Sequence, residues 1–596
     1  MNKQYFLATT ALEEFWDLDK PLLFLGEWCL RFDRRSYWTL LDGYQVESYV
    51  HGAKQAHLIY DDIDDIYERI LPIVADGLNS VHKTHFSVRY WRLVIGPWLQ
   101  TYLTSVYDRF ERITSVLKKY PNLTTILLSE ESFEVPQDTQ DFVDKIRDDI
   151  YNLQVYSKIL LSLGKEFPCK LAQEGPTKID CEVQTRSWQQ NLFSIITDLH
   201  RFLVIKLVSK PIVISNSYLS KWVEFKLAVN FFGRVFTTTC MRSKNRHYQY
   251  DNDLRKTLMK VSFGDDAFCR CLSSMLFADI PKCFVEGYRS TVKIGKRSYP
   301  SSAKLIFSAN SWWYDEVFKF WAATHAENGT LLLGTPHGGD YAARLVQPSR
   351  KHETEIVDYY YSWGLDGDKT QSKLIPMPAV KLMALKNIDA NNDKNGILWV
   401  TTSLPRYVSS EFPNCAPEFY KEYLIWQKRF AEALSLLASS ALCIRAHPAD
   451  FGWSVISRLK EHIPDLKLDS SKTPLSESMN NCRLYVCDHL STTYAEALSS
   501  NTPTILFWSS EANPLTCDAE QYFELLRNVG VFFDSPESAA EAVNNVYDDV
   551  ESWWNDIERQ EAVKVFTERF FGRSPDAENM WIKEFRRIDS SNDNRH

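Results

Sequence analysis

Arg483-Leu484-Tyr485-Val486-Cys487-Asp488-His489-Leu490-Ser491-Thr492-Thr493, running on into Tyr494-Ala495-Glu496-Ala497-Leu498, decides the fold. An apolar run too short for a helix stops at polar residues, and helical spacing of apolar residues starts at once. A strand apolar on both faces and feeding a helix belongs to a parallel sheet covered on both sides. A second run, Ala441-Leu442-Cys443-Ile444, ends at Arg445-Ala446-His447-Pro448, where proline stops the strand. In an open parallel sheet the carboxyl ends of the strands face the ligand crevice. Hydroxyls and cations placed there, at the start of a helix, suit a phosphate, so a nucleotide-handling enzyme is the first expectation.

The same alternation extends outward. Lys304 to Ser308, a helix from Tyr314 to His325, and Thr330 to Gly334 make a βαβ unit that runs into Thr335-Pro336-His337-Gly338-Gly339. Asn387 to Gly396 is polar and turn-rich and reads as a domain boundary. Beyond it, strands near 397–401, 482–487, 503–507 and 529–532 alternate with helices. Upstream, Phe6 to Thr10 and Pro21 to Trp28 read as strands, and Asp61 to Leu163 as mainly helical. The stretch from 165 to 300 shows no clear period.

The chain of 596 residues is too long for one core and should form two or three domains. Its 44% apolar content is that of an ordinary globular protein, and its 18 tryptophans are assigned to packing. A net charge of -9 argues against a nucleic-acid partner. The first residues lack a long apolar core, and no run reaches the roughly 20 apolar residues of a membrane span, so neither a signal peptide nor a transmembrane segment is expected. The 12 cysteines show no paired spacing, and Cys269-Arg270-Cys271 lacks a matching Cys/His pair, which removes a zinc site and points to reduced thiols in the cytoplasm.

Candidate chemistry follows from residue type. Arg445 can grip a phosphate bidentately, and His447 can hydrogen-bond or protonate a departing phosphate oxygen. Ser491, Thr492 and Thr493 offer donors at a helix N-terminus, with Asp488 and His489 just before them and Glu496 one turn on, where it would accept from ribose hydroxyls. The plainer alternatives are a serine helix cap and a surface histidine. Gly338 and Gly339 would let backbone approach a ligand, with His337 as phosphate ligand or base. Glu27, at an early strand end, is a candidate acid/base. Asp61, Asp64 and Asp65 fit an acidic first helical turn better than a magnesium site. The absence of a Walker A loop, G-x-G-x-x-G and G-x-S-x-G disfavours kinase, dehydrogenase and esterase readings.

Together, Leu25-Gly26-Glu27-Trp28, Tyr90-Trp91-Arg92 with Gly96-Pro97-Trp98, Pro336-His337-Gly338-Gly339, Trp363-Gly364, Arg445-x-His447-Pro448 and Asp488 to Thr493 resemble a family of bacterial surface-carbohydrate biosynthesis transferases over about 5–585. More distantly they are similar to GT-B capsule glycosyltransferases of the Kdo and sialic-acid type, and to teichoic-acid polymerases. Pro336 stands where the family carries glutamine. The resemblance implies an α/β, GT-B-like fold with two Rossmann-type domains facing a central cleft. Residues 1–385 would be the acceptor domain, with a large helical insertion at about 60–300, 393–585 the nucleotide-sugar domain, and 586–596 a disordered tail. It implies catalysis by His447, Glu27 and His337, and donor binding by Arg445, Asp488, His489, Ser491, Thr492, Thr493, Glu496, Gly338 and Gly339. The donor would be CMP-linked, a nonulosonic or Kdo-like acid, with no required cofactor or metal. The acceptor would be a glycan or lipid-linked glycan met at the inner face of the membrane through peripheral association. The alternatives are a CDP-alditol-dependent polyol-phosphate transferase and a non-catalytic envelope-polymer assembly protein.

Overall fold

The computed structural model describes residues 4–591 except 42–43, 173–199, 240–245, 365–372, 392, 410–411, 413 and 471. Three parallel sheets organise the chain. The first joins β1 (Tyr5–Ala8), β2 (Leu22–Phe24), β3 (Gln45–Val46) and β4 (Leu123–Thr124) in the order β3-β2-β1-β4. A minor pair, β5 (Leu127–Leu128) and β6 (Cys169–Lys170), lies beside it in sequence.

The second sheet contains β7 (Ile212–Ser215), β8 (Val235–Thr238), β9 (Leu305–Ser308), β10 (Leu331–Gly334), β11 (Tyr359–Trp363) and β12 (Leu374–Met377), ordered β12-β11-β10-β9-β7-β8. The third contains β13 (Ile397–Val400), β14 (Leu442–Arg445), β15 (Lys467–Leu468), β16 (Leu484–Cys487), β17 (Thr504–Phe507) and β18 (Phe532–Phe533), ordered β15-β14-β13-β16-β17-β18. Every strand pair in the three sheets is parallel. β7, β9, β13, β16 and β17 are buried along their whole length, which explains their unbroken apolar character.

Two long helices, Ala53–His82 and Val88–Lys119, pack along each other beside the first sheet. The second starts at Ser87, whose side chain accepts from the Tyr90 amide, and carries Trp91, Trp98 and Tyr102 into the core. The region expected as a helical insertion is not helical throughout: it contributes β7 and β8 to the second sheet. These strands escape sequence reading because each is a four-residue run without alternation, and short apolar runs are ambiguous.

The chain also crosses back at its end. Helix Ala577–Ser591 packs on the second sheet rather than the third: Trp581 Nε1 donates to the Pro378 carbonyl at 2.9 Å, and the Tyr361 hydroxyl donates to Glu584 at 2.9 Å. Burying Trp581, Phe585 and Ile588 against Phe307 and Tyr361 draws residues 577–585 away from the rest of the expected second domain. The helix also runs to Ser591, so the start of the expected disordered tail is helical; 592–596 lie outside the described residues. Gly364, at φ +66, permits this crossing, because a Cβ there would meet the Arg569 carbonyl oxygen at 2.3 Å.

Among the described residues no helix is long and apolar enough to cross a membrane, and no group of three or more His, Cys, Asp or Glu side chains is placed to hold a metal ion.

Candidate active site

The carboxyl ends of β9 and β10 face those of β13, β16 and β17 across one cavity of about 280 Å3. The second sheet supplies Asn310, His337 and Gly338; the third supplies Thr402, His489 and Ser491. Two six-stranded parallel sheets sharing a crevice at their strand ends make the α/β, GT-B-like arrangement, with ligand space where such sheets place it.

On the third sheet, Asp488 is buried and its carboxylate is filled. It accepts from Trp399 Nε1 at 3.1 Å, Gln427 Nε2 at 3.1 Å and the Tyr423 hydroxyl at 2.9 Å, and lies 2.9 Å from His489 Nδ1. With about four acceptor positions occupied, Asp488 has none for a ligand, and it does not line the cavity. It orients His489. Burial opposes charge on that imidazole, but the Cys487 sulfur at 3.6 Å and the Asp488 carboxylate outweigh it and raise the His489 pKa to about 10. The Asp488 carboxylate therefore favours the imidazolium form of His489. Its Nδ1 is committed to Asp488, and Nε2 has no partner among the described residues.

Helix Thr492–Ser499 begins three residues after His489, with Ser491 as its cap: Ser491 Oγ accepts from the Thr493 amide at 3.3 Å and lies 3.0 Å from Thr493 Oγ1. Ser491 and Thr492 line the cavity, whereas Thr493 and Glu496 do not. Glu496 pairs with Lys381 at 3.0 Å, so the expected ribose contact is not supported by its position. The glycines serve a different end from the one expected. The Gly339 amide donates to Thr492 Oγ1 at 3.2 Å, and Tyr494 donates to the Gly339 carbonyl at 3.2 Å. Gly339 thus carries one of the contacts between the two sheets, while Gly338 remains on the cavity wall.

Opposite stands His337. Its Nδ1 lies 2.6 Å from the Tyr341 hydroxyl and 3.3 Å from Glu353. Glu353 is fully buried and accepts from Trp313 Nε1 at 2.9 Å, Tyr341 at 3.0 Å and Tyr360 at 2.9 Å. A histidine backed by a fixed carboxylate has the layout of a general base with its orienting group. Arg344 closes this wall, bonding Asp340 at 2.9 Å, Asn513 at 3.0 Å and the Leu490 carbonyl at 2.5 Å.

Three expected residues lie elsewhere. Arg445 turns away from the cavity: it pairs with Asp469 at 2.5 Å and donates to the Thr473 carbonyl at 2.8 Å and to Ser478 at 3.3 Å, which commits its guanidinium to these residues. His447 is exposed, its Nδ1 turned onto the Ala449 backbone and its ring stacked 5.7 Å from Phe451. Glu27 pairs with Lys421 at 2.5 Å on the junction between the first sheet and helix Pro417–Ala433. None of the three lines the cavity.

Sequence reading missed Tyr341, Arg344, Glu353 and Tyr423. Tyr341 and Arg344 follow His337 closely and had a local signal, whereas Glu353 lies 16 residues on and Tyr423 meets Asp488 across 65.

Comparison with known proteins settles the family. A family model described as LIC12162 family transferase matches residues 5–585. The chain belongs to that transferase family. No curated protein matches the sequence. Solved structures similar to this LIC12162 family transferase include the wall teichoic acid polymerase TagF, at 11% identity over 68% of this chain and 96% of that one, with a TM-score of 0.32. MurG of Acinetobacter baumannii aligns at 11% identity over 64% and 100%, TM-score 0.33. The UDP-GlcNAc 2-epimerase of Neisseria meningitidis, bound to UDP-GlcNAc, aligns at 10% over 60% and 99%, TM-score 0.35. Overlaps this loose carry no argument about activity.

Proposed function

We propose that this transferase moves a sugar from a nucleotide-activated donor to a surface glycan or lipid-linked glycan. The observation that supports this most is His489: buried, bonded to Asp488 just before a helix N-terminus, and facing His337 across one cavity. The bond between the sugar and the donor phosphate breaks with its electron pair going to phosphate oxygen. His489 and the Thr492–Ser499 helix N-terminus offset that charge without an obligatory metal. The acceptor hydroxyl forms the new bond to the sugar carbon, and its proton passes to the His337 ring, held by Glu353 and Tyr341. The volume of about 280 Å3 is at the small end for ligand sites and suits a nucleoside monophosphate portion better than a complete donor with its acceptor.

A CMP-linked acid is the first donor to test, with reaction at the inner face of the cytoplasmic membrane. Calorimetry with CMP, CDP, UDP and GDP, and product mass with the matching donors, tests the reading. His489→Ala should weaken nucleotide binding at least tenfold, while His337→Ala should keep binding and lose transfer. Absence of binding to all four nucleotides would sink the proposal, and a product gaining a polyol phosphate would replace the sugar.

A further inference from the structure

The end of the second sheet opposite the cleft carries features that sugar transfer does not use. A cavity of about 710 Å3 opens there, at the amino ends of β7, β8, β9 and β10. Its lining includes Lys210, Arg234, Lys296 and Lys304 and no Asp or Glu, in a chain whose net charge is -9. Arg234 and Lys304 share the Asp589 carboxylate at 3.1 and 3.0 Å. Lys210 and Lys296 are exposed and have no acidic partner among the described residues. Phe320 and Trp321 add an apolar wall.

Beside this cavity the surface is unusually apolar. Helix Lys221–Asn230 buries Val223 and Leu227 yet also turns Trp222, Phe225 and Val229 outward, at 58%, 57% and 60% exposure. Phe232, in the turn that follows, is 90% exposed, and Leu207 is 76% exposed. Trp222, Phe225 and Val229 form one stripe on the outer face of the helix, and Phe232 continues the apolar surface in the turn after it. Phe232 adopts the left-handed conformation, φ 53, at the helix C-terminus, where glycine is usual. Lys210 also does so, at φ 49. The Ile212 amide bonds the Arg234 carbonyl at 2.9 Å, so these two turns stand at the same end of neighbouring strands. Ordinary surfaces do not hold a bulky aromatic in a strained, exposed turn next to unpaired lysines.

We propose that this end of the protein docks on an anionic lipid surface. Leu207, Val229 and Phe232 enter the headgroup layer, and the basic cavity takes a phospholipid phosphate. An aromatic and aliphatic stripe flanked by lysines has the chemistry of an interfacial anchor, and its charge complements an anionic leaflet.

Co-sedimentation of the full chain with vesicles of phosphatidylcholine alone, or with phosphatidylglycerol added, tests this, with sedimentation velocity and nucleotide calorimetry run in parallel. Binding should strengthen at least tenfold with phosphatidylglycerol and weaken at high salt. Lys210→Ala with Lys296→Ala should reduce it by about fivefold per lysine. Val229→Ser with Phe232→Ser should reduce it by roughly tenfold, with nucleotide affinity unchanged. All four side chains are exposed, so the variants should fold, as circular dichroism would verify. Equal affinity for neutral vesicles, no vesicle binding, variants that bind like the parent, or a Phe232-dependent dimer that ignores vesicles would each overturn the proposal. None of these outcomes depends on the transfer reaction.

Discussion

The Gly339 amide donates to Thr492 Oγ1 at 3.2 Å, tying the turn after β10 to the first residue of the helix after β16. This bond joins the two sheets within reach of the cavity. A Cβ on Gly339 would stand 2.7 Å from the Ala495 Cβ and 3.4 Å from the Ser491 carbonyl oxygen. The turn and the helix must part to admit it. Gly339→Ala is therefore expected to cost about 1–3 kcal/mol in denaturant unfolding and to lower nucleotide affinity. An unchanged midpoint together with unchanged affinity would show that the sheets do not rely on this contact.

His489 gives a pH signature. Its folded pKa, raised to about 10, lies above the roughly 6.5 of an unfolded histidine. Its stabilising contribution is therefore complete below about pH 6.5 and is lost as pH rises through about 10. Subtracting the stability curve of His489→Gln from that of the parent should leave a difference that shrinks between those pH values. A flat difference would mean that the ring is neutral in the fold.

His447 and His489 should separate cleanly. His447 is exposed and bonded to the Ala449 backbone, whereas His489 lines the cavity. Titration of each alanine variant with the nucleotide that binds the parent should show His447→Ala within about twofold of the parent and His489→Ala at least tenfold weaker, an order-of-magnitude expectation for losing a charged hydrogen bond. The reverse ranking would move the phosphate site to the end of β14.

Glu418 clamps the helical layer to the third sheet. It pairs with buried Arg112 at 2.8 Å, and Arg112 also bonds Asp108 at 2.8 Å. Burial works against the Glu418 carboxylate, but Arg112 outweighs it and holds the pKa down at about 2. Because the folded value is depressed, the stabilisation is present above the unfolded value of roughly 4.3 and fades as pH falls towards 2. Glu418→Gln leaves Arg112 with one fewer carboxylate in the interior and should cost about 3–5 kcal/mol at pH 7. Calorimetric unfolding of the variant at pH 7 and at pH 3 should show a smaller deficit at the lower pH.

Local sequence determined much of this protein. The runs at Leu484–Cys487 and Leu305–Ser308 are strands because short, mainly apolar runs bounded by polar or turn residues bury both faces in a parallel sheet, and Leu442–Arg445, buried only at Leu442 and Ile444, pairs beside them. Ser491 heads a helix because its hydroxyl meets an amide two residues on. The placing of Ser491, Thr492 and His337 at strand ends followed from the same local pattern. Tertiary structure decided which way each side chain turned and which residues it met. Arg445 ends one strand of the third sheet and His489 lies just beyond another, yet Asp469 draws the first away from the cavity and Asp488 fixes the second on its wall. Glu353 reaches His337, Thr492 reaches Gly339, and the last helix reaches Phe307 only after distant segments have packed. Strand and helix propensities arise from neighbours along the chain, whereas a charge finds its partner through space.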